Sequence, residues 1–414
     1  MSNRVVVVGG GVVGSCAAYY LARAGWKVTQ VERGGQTAGC SFANCGYVCP
    51  SHVLPLAVPG AVWSTFKTLF WKNSPLKVRP LVVLKNLGWF LNFAGKCNER
   101  DMLAAGTAIQ ALLNSSRALF DDLIRDEQIP CEWEAKGLLF VFDTAKAFSH
   151  YAHTDALLTE KFHMPAKRLD ADALLDLEPA LKPGSAGGYL YQSDGHLRSD
   201  KLMAELRRVL LEKGVEIRNS CNVTGFVTEN GTAKAVRTDM GDIDADQVVI
   251  ATGAATPMLN KVLGCRIPIQ PGKGYSITMP RPAVCPRYPL IFDEHRVAVT
   301  PFASGYRIGS TMEFAGYDEL LNRSRLSILT EGAKHYLREP LAEPVQMEWC
   351  GLRPMTFDGL PIIDRAPAAR NVLIAAGHNM LGLSMATATG KVVAEMLGGE
   401  PPHVDVRPYS LARF

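Results

Sequence analysis

The stretch that decides the fold is RVVVVGGGVVGSCAAYYLARAGWKVTQVE, residues 4–32. Its first five residues form an apolar, β-branched run that predicts a buried parallel strand. Residues 15–24 then predict a helix that ends at Gly25, and WKVTQVE predicts a second strand that ends at Glu32. A strand, a glycine turn, a helix and a second strand form the first unit of a doubly wound α/β sheet.

The glycine turn in this unit has the spacing of a dinucleotide site, because Gly9, Gly11 and Gly14 fit G-x-G-x-x-G. We expect Gly9 to make the tight turn, Gly11 to let backbone approach a pyrophosphate, and Gly14 to let the helix pack on the strand. The helix N-terminus would stabilise the phosphate charge, and Glu32 is placed to accept hydrogen bonds from a ribose. A merely structural turn would leave Glu32 unexplained, so we predict a bound dinucleotide.

Composition and charge exclude several classes of protein. The chain has 414 residues, of which 47% are hydrophobic and 20% charged, and its net charge of +4 is too mild to imply nucleic acid. The ten cysteines do not form a disulfide framework. Cys40, Cys45 and Cys49 lack the C-x2-C pairs of zinc sites, so we predict reduced thiols and no metal. The run Val5–Val8 is too short for a signal peptide, and we expect a cytoplasmic protein without a membrane span.

The region between Glu32 and Glu99 contains no acidic residue. Its second half mixes aromatic and basic side chains, which are Trp63, Phe66, Phe70, Trp71, Trp89 and Phe90 with Lys67, Lys72, Lys77, Arg79 and Lys85. This mixture suits a segment, residues 61–97, that lies on an anionic bilayer as a peripheral contact. The alternative is a buried helical lobe whose lysines reach out to water.

Two later segments favour FAD over NAD. Residues Val248–Ala251 predict a strand that runs into Thr252 and Gly253, where backbone could pass close to a cofactor. Residues 372–375 predict another strand, followed by Gly377 and a helix over 383–397. Reduced flavin carries negative charge near N1 and O2, and the N-terminus of that helix would stabilise it. A nicotinamide enzyme has no need of this third piece.

Several segments together resemble the D-amino acid oxidase superfamily of FAD-dependent oxidoreductases, and within it the bacterial D-amino acid dehydrogenases. They are SFANCGYVCP, PGKGYSITMP, GLRPMTFDGLPIID, GHNMLGLSMATATG and the tail SLARF. The resemblance runs nearly end to end. It implies an α/β fold, α+β overall, with a Rossmann-like FAD-binding domain (1–90, 199–264 and 351–414) and a mixed-sheet substrate domain (132–192 and 266–347). Residues 91–131 would form a helical connection.

The resemblance also implies a set of cofactor-binding residues. Those near the ADP part would be Val12, Val13, Glu32, Arg33 and, through its backbone, Val223. Those along the flavin ring and its ribityl chain would be Cys40, Ser41, Asn44, Cys45, Gly46 and Tyr47. Those wrapping the ring would follow Gly377 and are His378, Asn379, Met380, Leu381, Gly382, Leu383 and Ser384. We expect the FAD to be non-covalent, because the pattern around Cys350 differs from that of members with attached flavin.

For the substrate, the resemblance assigns Arg353 to the carboxylate of a small amino acid. An arginine fork matches a carboxylate bidentately, although Arg353 could instead form a structural ion pair with Asp358 or Asp364. Further candidates, each with a structural alternative, are Tyr275, Thr311, Met312, His52 and Met380. Where relatives carry alanine this chain has Cys45, and where glycine oxidases carry a tyrosine it has the aliphatic residues 297–299. The exact substrate therefore stays open.

The implied chemistry is the transfer of a hydride from Cα to flavin N5. Because the Cα hydrogen leaves as a hydride, the enzyme needs no dedicated base to remove it. The expected activity is oxidative deamination of a D-amino acid, or of a D-imino acid such as proline or hydroxyproline, with a quinone as electron acceptor. The alternatives are an oxygen-using oxidase of glycine, sarcosine or a D-amino acid, and a flavin subunit of a larger dehydrogenase complex.

Overall fold

The computed structural model describes residues 3–35, 39–63, 74 and 76–414. The strands in chain order are β1 (Arg4–Val8), β2 (Lys27–Val31), β3 (Tyr47–Val48), β4 (Leu76–Val78), β5 (Leu138–Phe142), β6 (Lys167–Asp170), β7 (Gly187–Tyr191), β8 (Gly195–His196), β9 (Glu216–Arg218), β10 (Val223–Glu229), β11 (Thr232–Thr238), β12 (Gly241–Asp244), β13 (Gln247–Ile250), β14 (Ile269–Met279), β15 (Leu290–Phe292), β16 (Val297–Phe302), β17 (Gly305–Phe314), β18 (Met347–Thr356), β19 (Ile362–Arg365) and β20 (Val372–Ala376). The α-helices are α1 (Val12–Arg23), α2 (Pro80–Lys85), α3 (Leu87–Lys96), α4 (Glu99–Asp126), α5 (Ala145–Phe162), α6 (Ala171–Leu177), α7 (Ser199–Glu212), α8 (Asn260–Leu263), α9 (Arg323–Tyr336) and α10 (Ala386–Gly398). Short 3₁₀ helices cover Gly253–Leu259, Arg407–Tyr409 and Leu411–Arg413.

The first sheet has the strand order β19-β20-β13-β1-β2-β9 and is parallel except for β19. It joins strands from the N-terminal, middle and C-terminal parts of the chain. Val5–Val8 are buried because helices and loops cover both faces of the sheet. The neighbours of β1 are β2, the next strand in the chain, on one side and β13, from the middle of the chain, on the other. The direction in which strands are added to the sheet therefore reverses at β1. Sheets of this kind bind ligands beyond the carboxyl ends of the strands at such a point.

Helices α1 and α10 pack together at unusually short distance. A Cβ atom built on Gly390 of α10 would lie 2.6 Å from the carbonyl carbon of Cys16 in α1. Real Cβ atoms do not approach backbone so closely, so only glycine lets these two helices touch at this point. The first turns of both helices face the carboxyl edge of the first sheet, and the contact fixes their relative position.

The second sheet is mixed, with the order β18-β14-β17-β16-β15-β5-β7-β6. Strand β4 pairs with the last residues of β17, Met312–Phe314. Residues that pair directly in neighbouring strands lie on the same face of a sheet. One such row is Ser276, Gly309, Ala298, Ile291 and Phe140. The loop that carries Cys45 packs on this face, because a Cβ atom built on Gly309 would lie 2.6 Å from the Cys45 Sγ. Two smaller sheets, β10-β11-β12 and β3-β8, complete the fold.

Helices α2 and α3 form a short hairpin against the edge of the second sheet. Strand β4 runs parallel to β17 opposite Met312–Phe314, and Trp89 of α3 packs on Phe314 and donates its indole N–H to the Pro268 carbonyl over 2.9 Å. Apart from Trp89, the hairpin has no buried residue among those the structure describes. Five of the residues singled out in this basic, aromatic segment lie outside the described residues: Phe66, Lys67, Phe70, Trp71 and Lys72.

Two predicted domain limits cut through continuous elements. Strand β18 pairs with β14 along its whole length from Met347 to Thr356, so a limit at residue 351 falls inside one strand. Residues 76–90, predicted to belong with the FAD-binding part, pack on the second sheet through β4 and Trp89. The predicted limits followed the family resemblance, whereas these contacts depend on pairing between distant segments. None of the described helices has the length and apolar character required to cross a bilayer.

Candidate active site

One large cavity, of about 2220 Å³, lies beyond the carboxyl edge of the first sheet and against the face of the second. Almost every residue predicted to bind cofactor or substrate lines it. Those at the cofactor end are Gly9, Gly11, Val12, Val13, Glu32, Arg33, Cys40, Ser41, Asn44, Cys45, Gly46, Tyr47, Val223, Thr252, Gly253 and the seven residues from His378 to Ser384. The residues predicted to bind substrate that line the cavity are His52, Thr311, Met312, Arg353 and Met380. Gly14, Gly377 and Tyr275 are not among the lining residues.

The glycine turn is packed as its spacing predicted. A Cβ atom on Gly9, whose φ is +115°, would lie 2.4 Å from the Ala251 carbonyl oxygen, and one on Gly14 would lie 2.0 Å from the Gly9 carbonyl oxygen. Gly14 therefore holds helix α1 against β1 and does not face the cavity. Gly11 is the N-cap of α1 and has no side chain to occupy the first turn. Apart from the Val12 N–H, which donates to Ser41 Oγ, the N–H groups of that turn are left open toward the cavity, where an anion would be stabilised.

Glu32 lies at the end of β2 with its carboxylate held in place by backbone. Oε2 accepts from the Gly10 N–H and Oε1 accepts from the Gly34 N–H, each over 2.7 Å. Each carboxylate oxygen has a second lone pair, so both retain capacity to accept from ribose hydroxyls. Ser41 supports the same end of the cavity, since its Oγ accepts from the Val12 N–H over 3.0 Å.

The loop between residues 40 and 47 is braced by its own side chains. The Asn44 amide donates to the Cys40 and Ser41 carbonyls and accepts from the Gly46 N–H. The Tyr47 hydroxyl lies 2.9 Å from the carbonyl oxygens of Leu290 and Val299, which ties the loop to the second sheet. Burial holds the pKa of Tyr47 well above its usual value. The loop therefore presents a preformed wall to a planar ring.

The segment after β20 supplies the opposite wall. Asn379 has a φ of +52° and exchanges hydrogen bonds with Thr356, donating to its Oγ1 and accepting from its N–H over 2.9 Å each. Ser384 bridges to β3, accepting from the Cys49 N–H and donating to the Tyr47 carbonyl. His378 is buried with Nε2 3.0 Å from the Thr389 hydroxyl, and burial lowers its pKa to about 3. It is therefore neutral at physiological pH.

Arg353 sits on β18 with its guanidinium in the cavity, beside the loop that carries Cys40. Its Nη1 donates to the Thr311 carbonyl oxygen over 2.8 Å. The two aspartates that could have made it a structural ion pair are engaged elsewhere: Asp358 pairs with Arg413 over 2.7 Å, and Asp364 accepts from Ser410 and Leu411. In the part of the chain that the structure describes, no carboxylate pairs with Arg353. A guanidinium with open donors in a largely apolar cavity is suited to a ligand carboxylate.

Gly274 makes room for this guanidinium, which the sequence did not indicate. A Cβ atom at position 274 would lie 2.4 Å from the Arg353 Cζ and Nη2 and 2.5 Å from its Nη1. Gly274 is on β14, the strand that pairs with β18. The residue of β14 directly opposite Arg353 is Gly272, two positions earlier. Two glycines in PGKGYS were a visible signal, but only the strand register shows what they face.

Ser310 and Thr311 have an unusual backbone, with φ of +110° and +53°. A β-branched residue rarely adopts positive φ, so the surrounding sheet must hold Thr311 there at some cost. The strain falls where β17 passes Arg353, and it directs the Thr311 carbonyl to that arginine. The Thr311 Oγ1 is buried and has no hydrogen-bond partner among the described residues.

Tyr275 does not support the role proposed for it from sequence. Its side chain is on the opposite face of β14 from Gly274, in the core with Ile277 and the residues of α9. Its hydroxyl donates to Glu313 Oε2 over 2.7 Å, and burial raises the pKa of the phenol further above its usual range. Because side chains alternate along a strand, a residue next to Gly274 points away from the cavity. The alternative interpretation of Tyr275 as a core residue fits the structure.

All ten cysteines are free thiols. Cys350 lines the cavity, and burial raises the pKa of its thiol, which makes it a poor nucleophile toward a flavin. No metal site was predicted, yet among the described residues one group, Cys49, His52 and Asp194, brings possible ligand atoms within 4.8 Å of one another. Cys49 and His52 of this group line the cavity, and the ring of His52 packs near that of Phe140.

A glycine turn at a helix N-terminus, an acid at the end of the second strand and a third ring-binding segment from the C-terminus together define a dinucleotide-binding flavoprotein. The cavity fits FAD, because the first turn of α1, Glu32 and residues 378–384 all line one continuous space. The chain belongs to the family of FAD dependent oxidoreductases named DAO, whose model matches residues 4–396. It is therefore an enzyme of that class, and FAD is its cofactor.

Relatives with curated names agree over the full length. The chain is 31% identical to D-amino acid dehydrogenase of Granulibacter bethesdensis over 417 residues, with 99% of each chain covered. It is 33% identical to D-amino acid dehydrogenase of Xanthobacter autotrophicus over 421 residues, again with 99% of each covered. The fold is that of glycine oxidase from Geobacillus kaustophilus, with a TM-score of 0.80 at 21% identity and all of both chains covered. L-proline dehydrogenase from P. horikoshii matches with a TM-score of 0.72 at 20% identity, over 100% of this chain and 98% of that one.

Proposed function

We propose that this enzyme oxidises a D-amino acid, or a D-imino acid such as proline or hydroxyproline, at the Cα–N bond. The observation that carries the proposal is Arg353, whose guanidinium faces the cavity without a carboxylate partner among the described residues. The names of the full-length relatives support the same substrate class. The product would be an imino acid that hydrolyses to a 2-oxo acid.

In this proposal the side chains position the substrate and exclude water. Arg353 binds the α-carboxylate through paired N–H groups, and the hydroxyl of Thr311, a cavity residue whose carbonyl contacts Arg353, donates to the same anion. The aliphatic residues Ile291, Val297 and Ala298 line the wall beside them and leave room for a substrate side chain. When bound, FAD supplies the acceptor for the hydride that leaves Cα. Fixing the carboxylate orients Cα and keeps the reacting atoms in a dry space.

The test is anaerobic reduction of the FAD-loaded enzyme, followed by loss of flavin absorbance, with a panel of D- and L-amino acids. We expect D-amino acids, among them D-alanine, D-proline and hydroxy-D-proline, to bleach the flavin faster than their L-enantiomers. Bleaching by glycine and sarcosine alone would favour the oxidase alternative. A flavin that no amino acid reduces would contradict the proposal and leave the role of an electron-transferring subunit.

We further propose that the electrons pass to a quinone-type acceptor at a membrane surface. The support is the α2–α3 hairpin, which exposes leucines at positions 81, 84, 87 and 91 by 61%, 74%, 51% and 62%. Lys77 and Lys85 lie beside them and are exposed as well. An apolar surface with basic residues around it suits an anionic bilayer, whereas a buried lobe would show buried leucines.

Sedimentation with vesicles that contain anionic lipid tests the contact. We expect the double variant Leu84→Ser, Lys85→Gln to bind the vesicles more weakly. The loss of the Lys85 charge alone should cost roughly 1 kcal/mol, which is about a fivefold decrease in affinity. Leu211→Ser is the matched control, because Leu211 on α7 is 52% exposed on a different helix. Turnover should be faster with a soluble quinone analogue than with oxygen. Rapid oxygen turnover with stoichiometric peroxide, and no vesicle binding, would favour the oxidase alternative.

A further inference from the structure

A chain of hydrogen bonds runs from His52, a residue that lines the cavity, to a buried carboxylate. Ser51 and His52 lie in the loop after β3, and Asp194 lies in the turn between β7 and β8. The Ser51 hydroxyl is 3.3 Å from the His52 Nδ1 and donates to the Asp194 Oδ2 over 2.6 Å. His52 lines the cavity, and Asp194 does not. No step of the proposed function so far uses these three residues.

Asp194 is completely buried, and no ion pair joins it to a cation within the described ranges. Its oxygens accept from the Ser51 N–H and hydroxyl and from the Ser193 hydroxyl. Burial nevertheless raises the pKa of the carboxyl to about 6, the hydrogen bonds from Ser51 acting in the opposite direction. A buried carboxylate without a cation is costly, so its retention beside a reaction cavity needs a reason.

The hydrogen bonds fix which nitrogen of His52 is open. Ser51 has one hydroxyl proton, and it is donated to Asp194, so the contact with Nδ1 is a hydrogen bond only if Nδ1 carries the proton. The neutral ring then has its lone pair on Nε2. Burial lowers the pKa of His52 to about 4, so the ring is neutral at pH 7 and can accept a proton there. Phe140 packs against the ring, with centroids 5.7 Å apart, and holds its orientation.

We propose that His52, Ser51 and Asp194 form a proton relay that takes the ammonium proton from the amino acid substrate. This inference rests on the proposed function, because a Cα–N oxidation needs a neutral amine whose lone pair forms the C=N bond. The N–H⁺ proton passes to Nε2 of His52, the Nδ1 proton passes to Ser51 Oγ, and the Ser51 proton passes to Asp194. The amine keeps the electron pair of the broken N–H bond, and Asp194 ends as the neutral acid. His52 would be catalytic, while Ser51 and Asp194 are positioning residues.

Other titratable groups face this chain and do not interrupt it. The Cys49 thiol bonds to Asp194, and its own pKa is raised well above the usual value by burial. On the far side, Tyr191 of β7 and Tyr151 of α5 share a hydrogen bond of 3.1 Å, with Asp155 3.4 Å from Tyr191. Asp293, after β15, contributes negative charge near Tyr151. Burial raises the pKa of both tyrosines, so neither ionises near neutral pH.

A metal ion on Cys49, His52 and Asp194 is the competing use of the same atoms. The hydrogen bonds argue against it, because the Asp194 oxygens already accept from Ser51 and Ser193 and the Cys49 thiol keeps its proton. A metal would require a thiolate and a free carboxylate oxygen. Metal analysis of the purified enzyme decides the question. Stoichiometric zinc that disappears in Asp194→Asn would overturn the relay.

The test compares Ser51→Ala and Asp194→Asn with the matched control Ser193→Ala, which removes a hydrogen bond to Asp194 outside the relay. In the wild type, the rate constant for anaerobic flavin reduction at low substrate concentration should fall as pH drops below about 6 and stay level above it. In both relay variants it should fall by about 10²-fold at pH 7. The defect should shrink by about tenfold for each pH unit upward, as free amine becomes available. A defect constant across pH, or the same shift in Ser193→Ala, would overturn the relay.

A second readout does not depend on turnover. Difference infrared spectra are recorded as the FAD-loaded enzyme binds 2-aminoisobutyrate, which has an ammonium and a carboxylate but no Cα hydrogen to lose. Desolvation in the cavity lowers the pKa of the bound ammonium, whereas burial raises the pKa of Asp194. Binding at pH 7.5 should therefore move the proton to Asp194 and produce the C=O band of a protonated carboxylic acid, and the band should be absent in Asp194→Asn and Ser51→Ala. A wild type that shows no band contradicts the relay, even if D-amino acids bleach the flavin. A wild type that shows the band but is not bleached contradicts only the proposed oxidation.

Discussion

Arg307 and Arg353 occupy neighbouring parts of the second sheet and show opposite hydrogen-bonding states. Arg307, on β17, is fully buried and donates to Thr278 Oγ1, the Asn44 carbonyl, Ser199 Oγ and Asp200 Oδ1, all within 3.0 Å. Arg353, on β18, donates to one backbone carbonyl and pairs with no carboxylate among the described residues. A guanidinium whose N–H donors are all used within the fold connects parts of the same chain. A guanidinium with unused N–H donors can bind a ligand. Arg307 joins the cofactor loop to helix α7, and Arg353 faces the cavity.

The largest effect should come from Arg307. Arg307→Met would remove the N–H donors to the Ser199 and Thr278 hydroxyls and the ion pair with Asp200. The Asn44 carbonyl would keep only the 3.2 Å bond from the Ser199 hydroxyl. Loss of a buried, charge-paired group of this kind costs about 3–5 kcal/mol of unfolding free energy. Urea denaturation of the FAD-loaded enzyme measures it. If Arg307→Met kept its stability and lost only substrate affinity, the assignment of the two arginines would be reversed.

Arg353→Ala should remove activity while leaving the protein intact. Truncating one partner of a desolvated charge pair costs about 2–5 kcal/mol. The second-order rate constant of flavin reduction should therefore fall about 30-fold to several thousand-fold. Arg353→Lys should recover only part, because the bidentate geometry is lost. FAD content and melting temperature should barely change, and the defect should vanish for amines without a carboxylate. A variant that loses its FAD would show that Arg353 is structural.

Gly274→Ala tests whether the placement of Arg353 matters as much as its charge. The added methyl would occupy the space of the guanidinium and displace it, since a Cβ atom at this position would lie 2.4 Å from the Arg353 Cζ. A displacement near 1 Å at a reacting site can cost about 10²-fold in rate. Gly225→Ala is the matched control, because Gly225 is also in a strand and has nothing within 4 Å of the added atom. Equal kinetics for the two variants would contradict the role of Gly274.

The smallest effect is expected at Thr311. If its unpartnered hydroxyl binds the substrate carboxylate, Thr311→Val should lower the second-order rate constant by about 2–10-fold, the worth of one hydrogen bond. Stability should stay equal or rise, because a buried hydroxyl without a partner is removed. Stopped-flow reduction and thermal melting measure the two effects separately. A loss of stability with unchanged kinetics would mean that the hydroxyl serves the fold alone.

The sequence predicted those parts of the site whose signals are local. The glycine turn, Glu32 and the ring-binding segment are each contiguous, and Arg353 sits in a recognisable segment, so they could be placed without coordinates. Gly274 and Asp194 could not, because their roles depend on which strand lies beside β18 and which turn lies beside Ser51. Tyr275 was assigned to the substrate for a related reason. The face of β14 that it occupies depends on how β14 pairs with β17, and the register of that pairing shifts between Lys273 and Tyr275.

The contact between Gly390 and Cys16 has a consequence for which ligands the enzyme accepts. Because α1 and α10 touch through backbone, the distance between the phosphate-binding turn and the ring-binding segment before α10 cannot adjust to the ligand. The helix pair thus fixes the distance from the flavin ring to its first phosphate, which a flavin mononucleotide and FAD share. FAD extends further, to the Glu32 carboxylate at the end of β2, whereas a flavin mononucleotide stops at its phosphate and leaves Glu32 without a ribose. One glycine contact therefore sets the spacing of the ring half, and Glu32 distinguishes the dinucleotide from the mononucleotide.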